Sequence, residues 1–200
     1  MGETSLAARP PGPIFRTIGD LAERCGSYCW LENRLFELTG SWASAPASGD
    51  PELRVFFAEM SVRHAFLAAQ WADRLPVRAD VDPAALVVPP TDRAVEALDL
   101  LQAEPDLRAR LRGLVEQLLP SLLGAYAGHR ADASPVAEAP VRAVLELAGH
   151  GVEQEIRRGR DLVRRTTGSA GEERLTAALA ARLHPLVGGA TGLFPGARAS

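Results

Sequence analysis

The chain reads as all-α, and three observations lead there. Apolar residues recur at three- and four-residue steps over long segments, the spacing of a helix with one buried face. No stretch alternates with period two for long enough to argue a strand. Nearly half of the 200 residues are hydrophobic, at 46%, while only 6% are aromatic, a palette rich in Ala and Leu that suits helices.

The elements follow in order. Residues 1–13 are small and polar with Pro10, Pro11 and Pro13, and are expected to form a flexible tail. The single helical domain is expected over 14–187. Its first helix should begin near Ile14 or Thr17 and end at Leu38, with Gly40 as the stop signal. After a Ser/Ala/Pro/Gly loop over 42–49, Asp50-Pro51-Glu52 opens the second helix. It supplies a capping carboxylate, a proline in the first turn and an acid against the helix dipole. That helix carries Phe57, Met60, His64, Ala68 and Trp71 on one stripe and ends before Pro76.

Pro76 to Pro90 is proline-rich and reads as an extended connection. A short helix from Asp92 to Ala103 follows. A third long helix runs from Asp106 to about Arg130, kinked by Pro120. Past a loop over 131–140, the fourth should run from Val141 to Thr167 and stop at Gly168. Ser169 and Glu172 form a capping box for a C-terminal helix to about Val187, and 188–200 is expected to be a flexible, Gly-rich tail. Short loops make the first two long helices antiparallel neighbours, and likewise the last two. One long crossover between the hairpins closes a four-helix bundle.

Charge and composition exclude several classes. A net charge of −3 gives no reason to expect nucleic acid or an anionic membrane as a partner. All 22 basic residues are Arg, which reads as GC-rich coding rather than a function, and the run Arg157, Arg158, Arg160, Arg164, Arg165 is interspersed with acids as on a solvated face. The N-terminus lacks the apolar region of a signal peptide, and no apolar run approaches the ~20 residues that span a bilayer. Cys25 and Cys29 lie one helical turn apart, a poor geometry for a disulfide, and read as buried small hydrophobes. A cytoplasmic location fits all of this. There is no phosphate loop, no Cys-x-x-Cys zinc pattern and no nucleophile elbow.

Three ionisable residues face inward. Glu32 lies within roughly 20° of the centre of the stripe formed by Leu21, Cys25, Tyr28, Leu35 and Phe36. A carboxylate there is costly unless it is paired or coordinated. His64 lies within about 20° of the stripe of Phe57, Ala68 and Trp71, whereas Glu59 is roughly 140° away from it. Glu155 borders the stripe of Ala148, Val152, Ile156 and Gly159. All three sit near the middle of their helices and could meet in one layer. Glu146, His150 and Glu153 share another face, opposite the apolar one, and read as a solvated charge cluster.

The two hairpins with a long crossover, the inward Glu32, the stretch Glu59-Met60-Ser61-Val62-Arg63-His64 running on to Trp71 and Arg74-Leu75-Pro76, and Ser134-Pro135-Val136 before the fourth helix resemble the ferritin-like superfamily, in particular small proteins of actinobacterial type. The resemblance covers roughly 17–167 and implies a ferritin-like four-helix bundle plus a C-terminal helix. Di-iron members hold metal with a Glu from each of two helices and a Glu-x-x-His from each of the other two. This chain has no Glu-x-x-His: Ser61, Tyr126, Leu147 and Ala181 precede its four histidines at that spacing.

Two functions remain open at this point. The first is a non-catalytic binding or interaction protein, with Glu32 and His64 as a buried structural pair that Tyr126 or an Arg joins, and with no cofactor. It could form a homodimer, and the small residues Ala68, Ala148 and Gly159 could leave an interior cavity for a small apolar ligand. The alternative is a metal-dependent oxidoreductase or hydroxylase with iron or manganese on a reduced ligand set of Glu32, His64 and Glu155. In that case Tyr126 or His129 would assist from behind the ligands.

Overall fold

A computed structural model describes residues 17–44, 50–77, 79, 81–165, 170–188 and 192–194. Every regular element among them is helical, and none is a strand. The order is α1 (Ile18–Ser44), α2 (Pro51–Ala72), a 3-10 turn (Pro83–Leu86), α3 (Asp92–Ala103), α4 (Leu107–Gly113), a π-helical turn (Leu114–Leu118), α5 (Leu119–Asp132), α6 (Ala139–Arg165) and α7 (Ala170–Val187). No helix among the described residues is long and apolar enough to cross a membrane.

Local chemistry sets most of the helix starts. Asp50 caps α2 by accepting the backbone N–H groups of Glu52 and Leu53, with Pro51 in the first turn. Thr91 caps α3 through the N–H of Ala94, and Asp106 caps α4 through that of Ala109 at 2.7 Å. The capping box read from Ser169 and Glu172 and the tail over 1–13 fall outside the described residues and side chains.

One expectation is corrected and two others gain local detail. Gly40 does not end the first helix, which continues to Ser44. A Cβ at Gly40 would sit 2.9 Å from the Ser61 hydroxyl, so this glycine admits the close approach of α2. Pro120 is absorbed by the π-helical turn over Leu114–Leu118 immediately before it. A wider turn relieves the clash of the proline ring with the carbonyl four residues back. Within the C-terminal stretch expected to be flexible, Leu193 and Phe194 are buried, and Thr91 Oγ1 donates to the Leu193 carbonyl at 3.2 Å.

Contacts between elements define the packing. Between α1 and α2, Cys29 meets Ala68, Phe36 meets Ser61 and Ala43 meets Arg54, so the two run antiparallel. Between α5 and α6, Arg130 meets Arg142 and Leu123 faces Gly149, again antiparallel. α2 lies antiparallel to α6, where Glu52, Glu59 and Arg63 pair with Arg165, Arg158 and Glu155. α1 lies against α5, where Tyr28 donates to the Ala125 carbonyl. The connection after α2 crosses α1 so closely that a Cβ at Gly26 would fall 2.0 Å from the Leu86 carbonyl oxygen. α7 packs on α3 and α4, with Leu179 and Leu183 against Gly113. One continuous apolar core runs from Cys25 to Phe194.

A buried chain of polar side chains as the candidate functional site

Each of the four long helical segments sends one polar side chain, and α2 a second, into a single layer. Glu32 from α1, His64 from α2 and Glu155 from α6 are buried, with exposures of 0%, 0% and 1%. They meet in a line. One oxygen of Glu32 pairs with His64 Nδ1, and its other oxygen accepts from the hydroxyl of Tyr126 on α5. On the far side of the ring, His64 Nε2 faces Glu155 Oε2 at 3.5 Å. Arg63 Nη1 donates to Glu155 Oε1 at 2.6 Å and carries the line to the surface, its side chain 27% exposed. The sequence of groups is therefore Tyr126, Glu32, His64, Glu155, Arg63.

Apolar and aromatic walls keep water from this layer. Tyr28 lies 4.9 Å from Tyr126 and 4.8 Å from Trp71, ring centre to ring centre, and Phe194 covers Tyr28 at 4.7 Å. In such surroundings unpaired charge is expensive, so pairing decides the protonation states. Burial disfavours a charged His64 ring, but the carboxylates of Glu155 and Glu32 outweigh it and raise its pKa above 6.5. Burial raises the Glu155 carboxyl despite the opposing pull of His64 and Arg63. Burial, then the neighbouring Glu32, lifts the Tyr126 phenol well above 10, so it stays a donor. Cys25, also buried, is pushed up to about 12 by burial, as befits a core thiol; both cysteines are free.

The geometry can be tested against a metal. Both oxygens of Glu32 and one of Glu155 already have partners on the protein. Of the ring nitrogens and carboxylate oxygens of Glu32, His64 and Glu155, only His64 Nε2 and Glu155 Oε2 lack a hydrogen bond among the described residues. Two such atoms fall short of the three or more protein ligands that a catalytic metal uses. Among the described residues no three His, Cys, Asp or Glu side chains are placed to hold a metal ion together. The residues present do not fit a di-iron centre.

No family model, curated protein or solved structure matches this chain.

The other sequence-derived candidates fall as follows. His129 is buried at 1% exposure, stacks on Tyr28 at 5.8 Å and has Nε2 3.5 Å from Glu138 Oε2, away from the His64 line. Glu59 is on the surface with Arg158, and Glu146, His150 and Glu153 are exposed on α6. Of the small residues Ala68, Ala148 and Gly159, Gly159 opens no space: a Cβ at this position would meet Val115 Cγ1 at 2.3 Å and Phe56 Cζ at 3.2 Å. Glycine lets α6 seat against the π-helical turn, so the space is used for packing.

Sequence reasoning missed the identity of Arg63 and the role of Glu138. Arg63 adjoins His64 in sequence and is turned about 100° from it, a position that reads as boundary or surface. Only its reach to α6 reveals the pairing. Glu138 lies just before α6, where no periodicity marks a buried face.

Proposed function

We propose that this chain is a ferritin-like four-helix bundle without a di-iron centre, and that it acts as a non-catalytic binding or interaction protein. The fold part is supported by two antiparallel helical hairpins joined by the long connection through the 3-10 turn and α3, with α7 packed alongside. The functional part rests on one observation: Tyr126, Glu32, His64, Glu155 and Arg63 pair with one another from four helices. Such a chain fixes the register of α1, α2, α5 and α6, because sliding any of them leaves a buried charge without its partner. Interior ionisable groups then serve the fold, and recognition falls to the surface.

The rival reading is a metal-dependent oxidoreductase or hydroxylase on Glu32, His64 and Glu155. It has one feature in its favour, the facing pair of His64 Nε2 and Glu155 Oε2 without a hydrogen bond. Elemental analysis of protein purified without chelators or an affinity tag separates the two, with Glu32→Gln alongside. Metal-free protein in both forms, folded by circular dichroism, is the expected result. Near-stoichiometric iron, manganese or zinc that the variant loses would overturn the proposal.

A further inference from the structure

The outward face of α2 carries an apolar stripe that stays exposed among the described residues. Val55, Ala58, Val62, Phe66 and Ala69 follow at three- and four-residue steps, within about 80° on the helix. Val55, Val62 and Phe66 are 56%, 72% and 50% exposed, and Ala58 and Ala69 are exposed as well. The stripe is not flat. Small Ala58 lies at a surface groove lined by Ala58, Glu59, Val62, Arg63, Phe66 and Arg158. The large Phe66 stands eight residues away, about 12 Å along the axis.

We infer that this face is the interface of a homodimer, with α2 of two copies crossing antiparallel at Val62. A two-fold axis through that point places Phe66 of each copy in the groove over Ala58 of the other, and Val55 opposite Ala69. Large thus meets small at both ends of the stripe, and the contact is isologous. Charge agrees with shape. Glu59 and Arg63, which pair with Arg158 and Glu155 inside the monomer, lie on the α6 flank of the stripe, and the same axis extends both pairs across the contact by bringing Glu59 of one copy beside Arg63 of the other, twice. Parallel pairing about the same helix would swap the flanks and place Glu59 of one copy on the side away from Arg63 of the other. The stripe spans one helix, below the ~800 Å² per partner of a standard interface, so a weak association is expected and is sought at micromolar concentrations. The inference deepens the reading of a protein that works through its surface, but metal content and association are separate measurements and either can fail alone.

Sedimentation of the full chain from low to high micromolar concentration tests it. The expected result is a shift from 21.3 kDa to twice that mass. Val62→Arg sets two cations at the axis and should weaken the dimer at least about tenfold, and Phe66→Ala should weaken it too. Both residues are at least half exposed, so folding is retained, as circular dichroism will verify. Val62→Cys should cross-link under mild oxidation, whereas Val77→Cys, 95% exposed and off the stripe, should not. A chain that stays monomeric throughout, or a dimer indifferent to Val62→Arg, would overturn the proposal.

Discussion

Removing the Tyr126 hydroxyl isolates one link of the buried chain. Tyr126→Phe keeps the ring, its contacts with Tyr28 and Trp71, and the volume of the core, so no cavity term enters. What disappears is the donor to a Glu32 carboxylate oxygen in a layer with 0–1% exposure. Water cannot replace that donor in a wall of aromatic rings. A hydrogen bond to a charged group in such a place contributes about 1.5–3 kcal/mol. With a urea slope of about 2 kcal/mol/M, the unfolding midpoint should fall by roughly 1 M at unchanged slope. The assay is equilibrium urea unfolding followed by circular dichroism, on Tyr126→Phe, Glu32→Gln and the double variant. If the two side chains are partners, the double variant loses less than the sum of the singles, with a coupling of about 1 kcal/mol or more. An unfolding free energy for Tyr126→Phe within about 0.5 kcal/mol of the parent, or strictly additive losses, would refute the reasoning, because the hydroxyl would then contribute nothing to holding Glu32.

The pH dependence has a definite sign. The folded-state pKa values of His64 and Glu155 are both raised, so their contribution is complete below the unfolded values of 6.5 and 4.5 and declines as pH rises through the folded ones. Unfolding free energies from urea titrations should therefore fall from mildly acidic to alkaline pH, at up to about 1.4 kcal/mol per pH unit per proton, and His64→Gln should flatten that limb. Glycines divide by surroundings. Gly159→Ala drives a methyl into Val115 and should destabilise by about 1–3 kcal/mol, whereas Gly128→Ala, with nothing within 4 Å, should stabilise by up to about 1 kcal/mol; thermal melts read both. Cys25 and Cys29, 0% and 3% exposed and with raised pKa values, should react with a thiol reagent only after denaturant is added; fast labelling of the native protein would contradict the packing of α1.

Much of this molecule is written locally. Asp50-Pro51, Thr91 and Asp106 mark helix starts because their side chains satisfy backbone donors within three residues. The inward placement of Glu32 and His64 follows from helical spacing alone, and Glu155 sits where its stripe put it. Gly40 and Gly159 were misread for a common reason. A glycine's local meaning is a helix end or a gap, but here each admits a neighbouring helix, and no sequence spacing shows which element approaches.

The sequence by itself determined the helices, their apolar faces and the presence of carboxylates that need partners, since these depend on periodicity and on groups a few residues apart. The tertiary structure alone decided which partners they find. Arg63 reaches Glu155 across 92 positions and Tyr126 reaches Glu32 across 94, so their pairing depends on how four helices cross, not on any local pattern. It also decided that the space at Gly159 is filled by Val115 and Phe56, because close packing is a property of several elements at once.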